Sequence, residues 1–390
     1  MAAGTGTRLM PLTKTRPKAM VDIAGKPLLE HTFEQIAKLT PQVTQIILVT
    51  GYQETAIKEY FKEQFQGIPI QYVTQHERLG TGHAVLVTEE HMTKNTTNTT
   101  NSTKGIGQFL VINGDDLYHY KDLHALTKYP NCILLKEVED VSAFGVVTID
   151  NEGKVTGFVE KPRGEAPSNL INVGAYSFTG DLFEILAQLK PSPRGEIELT
   201  DAVLELARQR KMHHVKVSQY WKPVGYPWHI LEATQVMLQH NNNLIHKGSV
   251  HAGAMVEPEV SIDTGSVVHK GAKVTGLVTI GKNVTVEQGA TIIGPTSIAH
   301  NSRIRNDAII EASVIGQNST IGQNCRVHHS IIGTNVQVYD NIATDYNSPE
   351  KTIHILVKGK QCNTKRNQLG VIVADGCSVS KNTTPGEIIQ

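Results

Sequence analysis

Cysteine is scarce in this chain. Cys132, Cys325, Cys362 and Cys377 are the only four among 390 residues, and none belongs to a C-x-x-C pair, so neither a zinc site nor a disulfide framework is indicated. Net charge is also lacking, because 37 Lys and Arg are balanced by 37 Asp and Glu. That balance removes the electrostatic argument for nucleic acid or an anionic membrane as the main partner, and any phosphate must be held by a local site. No uninterrupted apolar run approaches a membrane span, and no basic segment followed by an apolar one precedes the globular sequence, so a cytoplasmic protein is expected. With 39% hydrophobic and 19% charged residues, the composition is that of a globular protein long enough for two domains.

What is present concentrates in the first thirty residues. Ala2-Ala3-Gly4-Thr5-Gly6-Thr7-Arg8-Leu9 places two glycines two apart beside small hydroxyl residues, with an arginine two further on. Such a loop lets backbone N–H groups approach an anion, although Gly-x-Gly alone equally describes an ordinary tight turn. Pro17-Lys18-Ala19-Met20 and Ile23-Ala24-Gly25-Lys26-Pro27-Leu28 extend the string. Taken whole, it resembles the signature of the sugar-1-phosphate nucleotidylyltransferases. The resemblance implies a doubly wound, Rossmann-like α/β domain with Ala3, Gly4, Gly6 and Thr7 around the nucleotide, Arg8 on its β- and γ-phosphates and Lys18 on the phosphate at the reacting centre. In that family a central strand of about five to six residues leads into the loop, whereas here Met1 stands where that strand would end. The expectation is two sheet neighbours left unpaired, through a misplaced start codon or a trimmed record.

The residues that follow alternate between helical and strand periodicity. Leu28 to Leu39 carries apolar residues at helical spacing, Ile46-Ile47-Leu48-Val49-Thr50-Gly51 is an apolar run closed by glycine, Glu54 to Phe65 is amphipathic, and Ile70 to Val73 predicts another strand. This order predicts a parallel sheet with helices between its strands. Lys94 to Lys104 is a polar low-complexity tract, expected to be an inserted surface loop rather than a glycosylated one.

Gln75-His76-Glu77-Arg78-Leu79-Gly80-Thr81-Gly82-His83-Ala84 resembles the family's base-recognition turn, and implies Gln75 and Gly80 as the residues that meet a pyrimidine edge. A carboxamide suits that task because it both donates and accepts. The family more often has alanine where Gly82 stands, and the loop is expected to tolerate the glycine with added freedom. Phe109 to Ile112 predicts a buried strand ending in Asn113-Gly114-Asp115-Asp116. Asp115 matches the family's Mg²⁺ ligand, with Asp116 expected to point the other way on an extended chain. Gly145, Glu160, Lys161 and Asn172 match the sugar-phosphate elements. Gly195-Glu196-Ile197-Glu198-Leu199-Thr200-Asp201-Ala202 also fits the family, where Thr200 or Asp201 is expected to cap a helix. At Tyr220-Trp221-Lys222-Pro223-Val224-Gly225 the family carries a second metal-binding aspartate; Pro223 occupies that place here. Asp115 then remains the one obvious carboxylate, and Mg²⁺ binding is expected to weaken without being abolished, since this ion takes further ligands from phosphates and water.

After a connecting helix the period changes. Val256, Ile262, Val268, Val274, Ile280, Val286, Ile292, Ile298, Ile304 and Ile310 recur every six residues, and Ile315, Ile321 and Val327 resume the pattern after a phase shift. This is the hexapeptide repeat of a parallel β-helix, which family resemblance implies to be left-handed and to support a homo-oligomer. The tail from Val357 resembles the acyltransferase half of archaeal bifunctional sugar-1-phosphate nucleotidylyltransferase/acetyltransferases, in which His328 matches the general base. That family's Gly-Ala-Gly-Thr turn has no equivalent before Ala343-Thr344-Asp345-Tyr346-Asn347.

The expectation is therefore a nucleotidyltransferase domain over residues 1–230, a linker helix over 231–247 and a β-helix over 248–390. Its function would be to join a nucleoside triphosphate, dTTP or UTP, to a sugar 1-phosphate with Mg²⁺ and release of pyrophosphate. Two alternatives stand beside it: acetyl-CoA-dependent acetyl transfer through His328, and a non-catalytic nucleotide-sugar-binding subunit.

Overall fold

The computed structural model describes residues 1–93, 105–241, 244–348 and 351–390; the polar tract Lys94–Lys104 lies outside them. The chain divides into two compact units, one of Met1–Gly4 with His31–Trp221 and one of Thr5–Glu30 with Lys222–Gln390. Residues that are neighbours in the signature thus fall in different units.

In the first unit, Ile46–Thr50 pairs in parallel with Ile68–Thr74, and Gln64–Phe65 returns antiparallel on the latter. A second, six-stranded sheet runs in the order Val155–Glu160, Gly145–Ile149, Leu170–Phe178, Cys132–Glu137, His213–Lys216, with Phe109–Ile112 also paired to Leu170–Phe178. Here the all-parallel expectation gives way, because only Cys132–Glu137 and His213–Lys216 pair in parallel. The reason is local. Asp150 accepts the N–H groups of Glu152 and Lys154 on its carboxylate, closing a short turn between Gly145–Ile149 and Val155–Glu160, and two strands joined by so short a turn can only run antiparallel. Helices Asp181–Gln188 and Leu199–Arg208 press Leu182, Phe183, Leu186, Val203 and Leu206 into the core of this sheet.

The two residues before the glycine loop join strands. Ala2 donates its N–H to the carbonyl of Val49 at 2.7 Å, and the carbonyl of Met1 accepts from Gly114 at 2.8 Å. Met1 and Ala2 thereby bridge the C-terminal ends of Ile46–Thr50 and Phe109–Ile112, which otherwise belong to separate sheets.

In the second unit the hexapeptide pattern folds as expected. Successive coils place short strands in three parallel sheets, two of seven strands and one of five. Val268, Val286, Ile304, Ile321 and Val338 stack through the interior. The phase shift is a coil shortened by one residue: Val267 pairs with Thr285, but Ser297 pairs with Val314. A larger interruption follows, since Ile331 pairs with Ile372, and the intervening chain includes the antiparallel hairpin His354–Val357 with Lys360–Asn363. One corner of successive coils is occupied by Asn283, Asn301, Asn318 and Asn335, all with φ between 55° and 60°. Their side-chain amides form a ladder with steps of 3.1, 3.2 and 3.0 Å. Asparagine tolerates this left-handed conformation better than other L residues, and its amide both donates and accepts along the stack. Among the described residues no helix is long and apolar enough to cross a membrane.

Candidate active site

In the first unit, Gln75 follows the strand Ile68–Thr74 and is nearly buried. Its N–H donates to the carbonyl of Thr50 at 2.8 Å. Its side-chain Nε2 donates to the carbonyl of Gly80 at 3.1 Å and lies 3.1 Å from Nδ1 of His83. The structure thus brings Gln75 and Gly80 together. The turn is clamped from outside by the segment around Ile197. Gly82 donates to the carbonyl of Ile197 at 2.8 Å, and Ile197 donates to that of Leu79 at 2.6 Å. Gly80 has φ 99°, and a Cβ there would lie 2.5 Å from the Ile197 oxygen; at Gly82 the same contact would be 2.8 Å. The added freedom expected at Gly82 is therefore absent, because the neighbouring backbone fixes it.

The helix-capping expectation is corrected at the same place. The helix begins at Leu199, with Thr200 and Asp201 already inside its first turn, and Glu198 at the cap position makes no side-chain capping bond, its carboxylate accepting from Arg194 at 2.6 Å instead. The leading N–H, that of Leu199, is instead accepted by Oγ of Thr81 at 3.0 Å. The Thr81 hydroxyl thereby ties the Gln75–Ala84 turn to the start of this helix.

Asp115 and Asp116 part as expected. Asp115 is half-buried beyond the strand Phe109–Ile112, whereas Asp116 is buried. The latter's Oδ2 accepts from the indole N–H of Trp221 at 3.3 Å and faces the Tyr118 hydroxyl at 3.5 Å. Burial, reinforced by the charges of Asp116 and Asp115, pushes the Tyr118 phenol well above its ordinary range. Among the described residues no group of three or more His, Cys, Asp or Glu side chains forms a metal cage. A hard carboxylate oxygen at Asp115 nevertheless fits a Mg²⁺ ion that draws its other ligands from phosphate and water.

The sugar-phosphate candidates share neighbouring strand ends. Gly145 and Glu160 are cross-strand partners. Pairing of Ile171 with Val146 in an antiparallel register brings Asn172 beside Gly145. Lys161 has φ 46° and lies 3.3 Å from the Glu160 carboxylate, with both side chains about half exposed. Asn172 donates to the Tyr176 hydroxyl at 2.7 Å and accepts from the Gly174 N–H at 2.9 Å, which orients its amide across a shift in strand register.

In the second unit, Gly6 has φ 60° and its carbonyl accepts from Leu9 N–H and Thr13 Oγ, each at 2.9 Å. Thr7 and Arg8 lie in the short turn that follows, and the Arg8 guanidinium sits 5.4 Å from the Tyr226 ring centre. Lys18 opens a second short turn, Lys18–Met20, and packs so closely that a Cβ on Gly6 would lie 2.7 Å from its own. A residue the sequence did not single out joins this group. His229 is lowered to about 4 by burial, opposed by Glu232 and assisted by Lys222, Lys18 and Arg8. Its Nδ1 accepts the Gly225 N–H at 3.1 Å, so a neutral imidazole stands among cations. Pro223 ends the strand Trp221–Pro223 and offers no side-chain ligand atom.

On the β-helix, Nδ1 of His328 lies 2.9 Å from Glu311 Oε2, its register partner one coil earlier. The His328 ring stacks on Tyr346 at 4.9 Å, and His329 contacts the same ring at 5.0 Å. Sequence reasoning found His328 but missed Glu311, because the partner lies 17 residues away along the chain. A carboxylate on Nδ1 leaves Nε2 as the proton-accepting nitrogen of the neutral ring.

Comparison with known proteins accords with both halves. A model of the nucleotidyl transferase family matches residues 1–240, and one described as the GMPPB C-terminal domain matches residues 256–361. The bifunctional protein GlmU of Methanococcus maripaludis is 38% identical over 379 residues, spanning 96% of this chain and 86% of that protein. A bifunctional sugar-1-phosphate nucleotidylyltransferase/acetyltransferase of Sulfurisphaera tokodaii is 30% identical over 388 residues, spanning 98% and 91%. Among solved structures, a UDP-glucose pyrophosphorylase complexed with UDP-glucose is similar with a TM-score of 0.52 and 30% identity, covering 61% of this chain and 96% of that one.

Proposed function

We propose, on the premise that this chain belongs to the nucleotidyl transferase family, that it transfers the nucleotidyl group of dTTP or UTP to a hexose 1-phosphate and releases pyrophosphate. The observation that carries the choice of base is the Gln75 amide held to the Gly80 carbonyl. With Nε2 donating there, Oε1 of Gln75 is the atom left to accept from a base, and the Gly80 N–H can donate. Thymine and uracil present a matching edge, an N–H between two carbonyls, which cytosine lacks.

The sugar phosphate oxygen attacks the α-phosphorus in line, and catalysis is positioning with charge neutralisation rather than covalent help from the protein. Arg8 holds the β- and γ-phosphates and Lys18 the phosphate at the reacting centre. Gly145, Glu160, Lys161 and Asn172 orient the sugar phosphate, with Glu160 accepting from hydroxyls. Asp115 holds a Mg²⁺ ion, which when bound neutralises phosphate charge. His229, kept neutral by burial, adds no positive charge to Arg8 and Lys18. The test is pyrophosphate release with dTTP, UTP or CTP, Mg²⁺ and a panel of sugar 1-phosphates. Turnover with the first two, lost in Asp115→Ala, supports the reading; silence with every donor, from a chain shown to be folded, overturns it in favour of a nucleotide-sugar-binding subunit.

A second reading rests on the His328–Glu311 pair. Glu311 orients the imidazole so that Nε2 takes a proton from an acceptor amine or hydroxyl as that group attacks the thioester of acetyl-CoA. Thiol release from acetyl-CoA in the presence of amino-sugar phosphates, abolished in His328→Ala and retained in Asp115→Ala, is the outcome this reading requires. Identical chains are expected to associate through the β-helix, which light scattering of the full chain would detect.

A further inference from the structure

The segment Thr13–Lys18 is held at both ends. At its start, Thr13 Oγ donates to the Gly6 carbonyl at 2.9 Å. At its end, Lys18 packs against Gly6 itself. Between them, Arg16 reaches the β-helix: Nη2 and Nε donate to Asp375 Oδ2 at 2.7 and 3.2 Å, and Nη2 also donates to Thr334 Oγ at 2.7 Å. Thr15 donates to the same carboxylate oxygen. The other oxygen, Oδ1, accepts the Thr334 N–H at 2.8 Å. Both oxygens of Asp375 are therefore used, and its side chain is 12% exposed against 22% for Arg16. The pair borders a cleft whose walls include Leu12, Val21, Ile230 and Ile332, so water competes weakly for these charges.

Asp375 and Thr334 are tied to one another by the turn of the solenoid, a stack of rigid coils. Arg16 is two residues from Lys18, and Pro17 between them fixes one backbone angle. We propose that Asp375, acting through Arg16, is a positioning residue for nucleotidyl transfer: the β-helix serves as the anchor that holds Lys18 against the glycine loop. This rests on the reading of Lys18 as a phosphate-holding residue. It gives the β-helix a role in the first reaction that is separate from any chemistry at His328.

The strut predicts a specific kinetic pattern in the full chain. Lys18 acts on the reacting phosphate, so Asp375→Ala lowers kcat by about tenfold to a hundredfold, the scale of a small misplacement of a catalytic group. KM for the nucleotide changes much less. Asp375→Glu recovers part of the loss. In a Lys18→Ala background, Asp375→Ala causes no further loss, because the group it positions is gone. A kcat of Asp375→Ala within twofold of the parent, or an undiminished further loss in the Lys18→Ala background, overturns the proposal. Amide hydrogen exchange gives a reading independent of turnover. Asp375→Ala should expose the amides of residues 13–20 while the β-helix strands keep their protection, and unchanged exchange over 13–20 overturns the strut even in a chain that shows no turnover. Failure of the functional reading looks different: no parental turnover, or full turnover in Lys18→Ala, with the exchange result unaffected.

Discussion

Trp221 donates its indole N–H to Oδ2 of Asp116 at 3.3 Å, inside the core of the first unit, while the carboxylate one residue earlier, Asp115, is half-buried at the strand end. The two adjacent aspartates thus differ in burial and in bonding, and the proposed role of Asp115 as a Mg²⁺ ligand makes the contrast testable. Asp115→Ala should abolish pyrophosphate release and leave the free energy of unfolding nearly unchanged. Asp116→Ala should do the reverse in emphasis. It leaves the Trp221 N–H unpaired in the core, at a cost of about 1–3 kcal/mol, whereas Tyr118 keeps its bond to the Val173 carbonyl at 2.7 Å. Urea unfolding and the release assay on both variants check the contrast, and equal loss of stability in both would show that Asp115 is structural too.

The glycines of the proposed base-recognition turn yield a second expectation. A methyl at Gly80 meets the Ile197 oxygen at 2.5 Å in a left-handed conformation, and one at Gly82 meets the same oxygen at 2.8 Å. The opposing atom is backbone and cannot swing away. Gly80→Ala should raise the KM for the nucleotide more than Gly82→Ala, since it displaces the carbonyl that holds Gln75 as well. Gly82→Ala should loosen the Ile197 contact and weaken the Thr81 cap on the helix. Nucleotide titration of both variants measures the order, and tighter binding in Gly80→Ala would count against the turn as the base site.

These cases also indicate what could be read from the chain alone. The glycine loop, the strand before Asp115 and the six-residue repeat are legible because each is written in consecutive residues: a run of small residues, an apolar stretch, a fixed period. The different burial of Asp115 and Asp116 matches the expectation of strand alternation, although Asp115 lies in the turn that precedes the strand Asp116–Tyr118. By contrast, the Thr81 cap joins residues 118 apart, and Arg16 and Asp375 are 359 apart; no local pattern marks either partner. Thr200 and Asp201 looked like caps because hydroxyl and carboxylate residues favour helix starts, but a hydroxyl from another segment had already met that need. The asparagine corners were present in the sequence at regular spacing, overlooked because the aliphatic repeat was the stronger signal.

Asp22 gives a pH dependence whose sign can be worked out. It lies 3.6 Å from Arg16, and Asp375 and Glu30 also face it. Burial pushes its carboxyl up to about 6 from an ordinary 3.8, against the pull of Arg16, with Asp375 and Glu30 adding to the rise. Between about pH 4 and pH 6 the folded state thus holds a proton that the unfolded chain releases. Its contribution to stability is fully present below about pH 4, declines as pH rises towards about 6, and is lost above that. A shift of this size corresponds to at most about 3 kcal/mol. Asp22→Asn, neutral throughout, should flatten this decline and be more stable than the parent at pH 7. Urea unfolding at pH 4.5 and 7 decides it, and an identical pH slope in both proteins would remove Asp22 as the cause.

Asn301 separates two contributions at the corners of the β-helix. It has φ 60°, accepts from the Asn283 amide at 3.1 Å and donates to Asn318 at 3.2 Å. Alanine loses both ladder bonds and places an unsuited residue in the left-handed region, the second effect costing about 1–2 kcal/mol. Glycine loses the same bonds but adopts that conformation readily. The ladder is exposed, so each bond should contribute at the low end of about 0.5–1.5 kcal/mol. Asn301→Ala should therefore destabilise more than Asn301→Gly, and the difference reports the backbone term alone. Equal losses in thermal unfolding would instead mean that the amide ladder, rather than tolerance of positive φ, is what asparagine contributes at this corner.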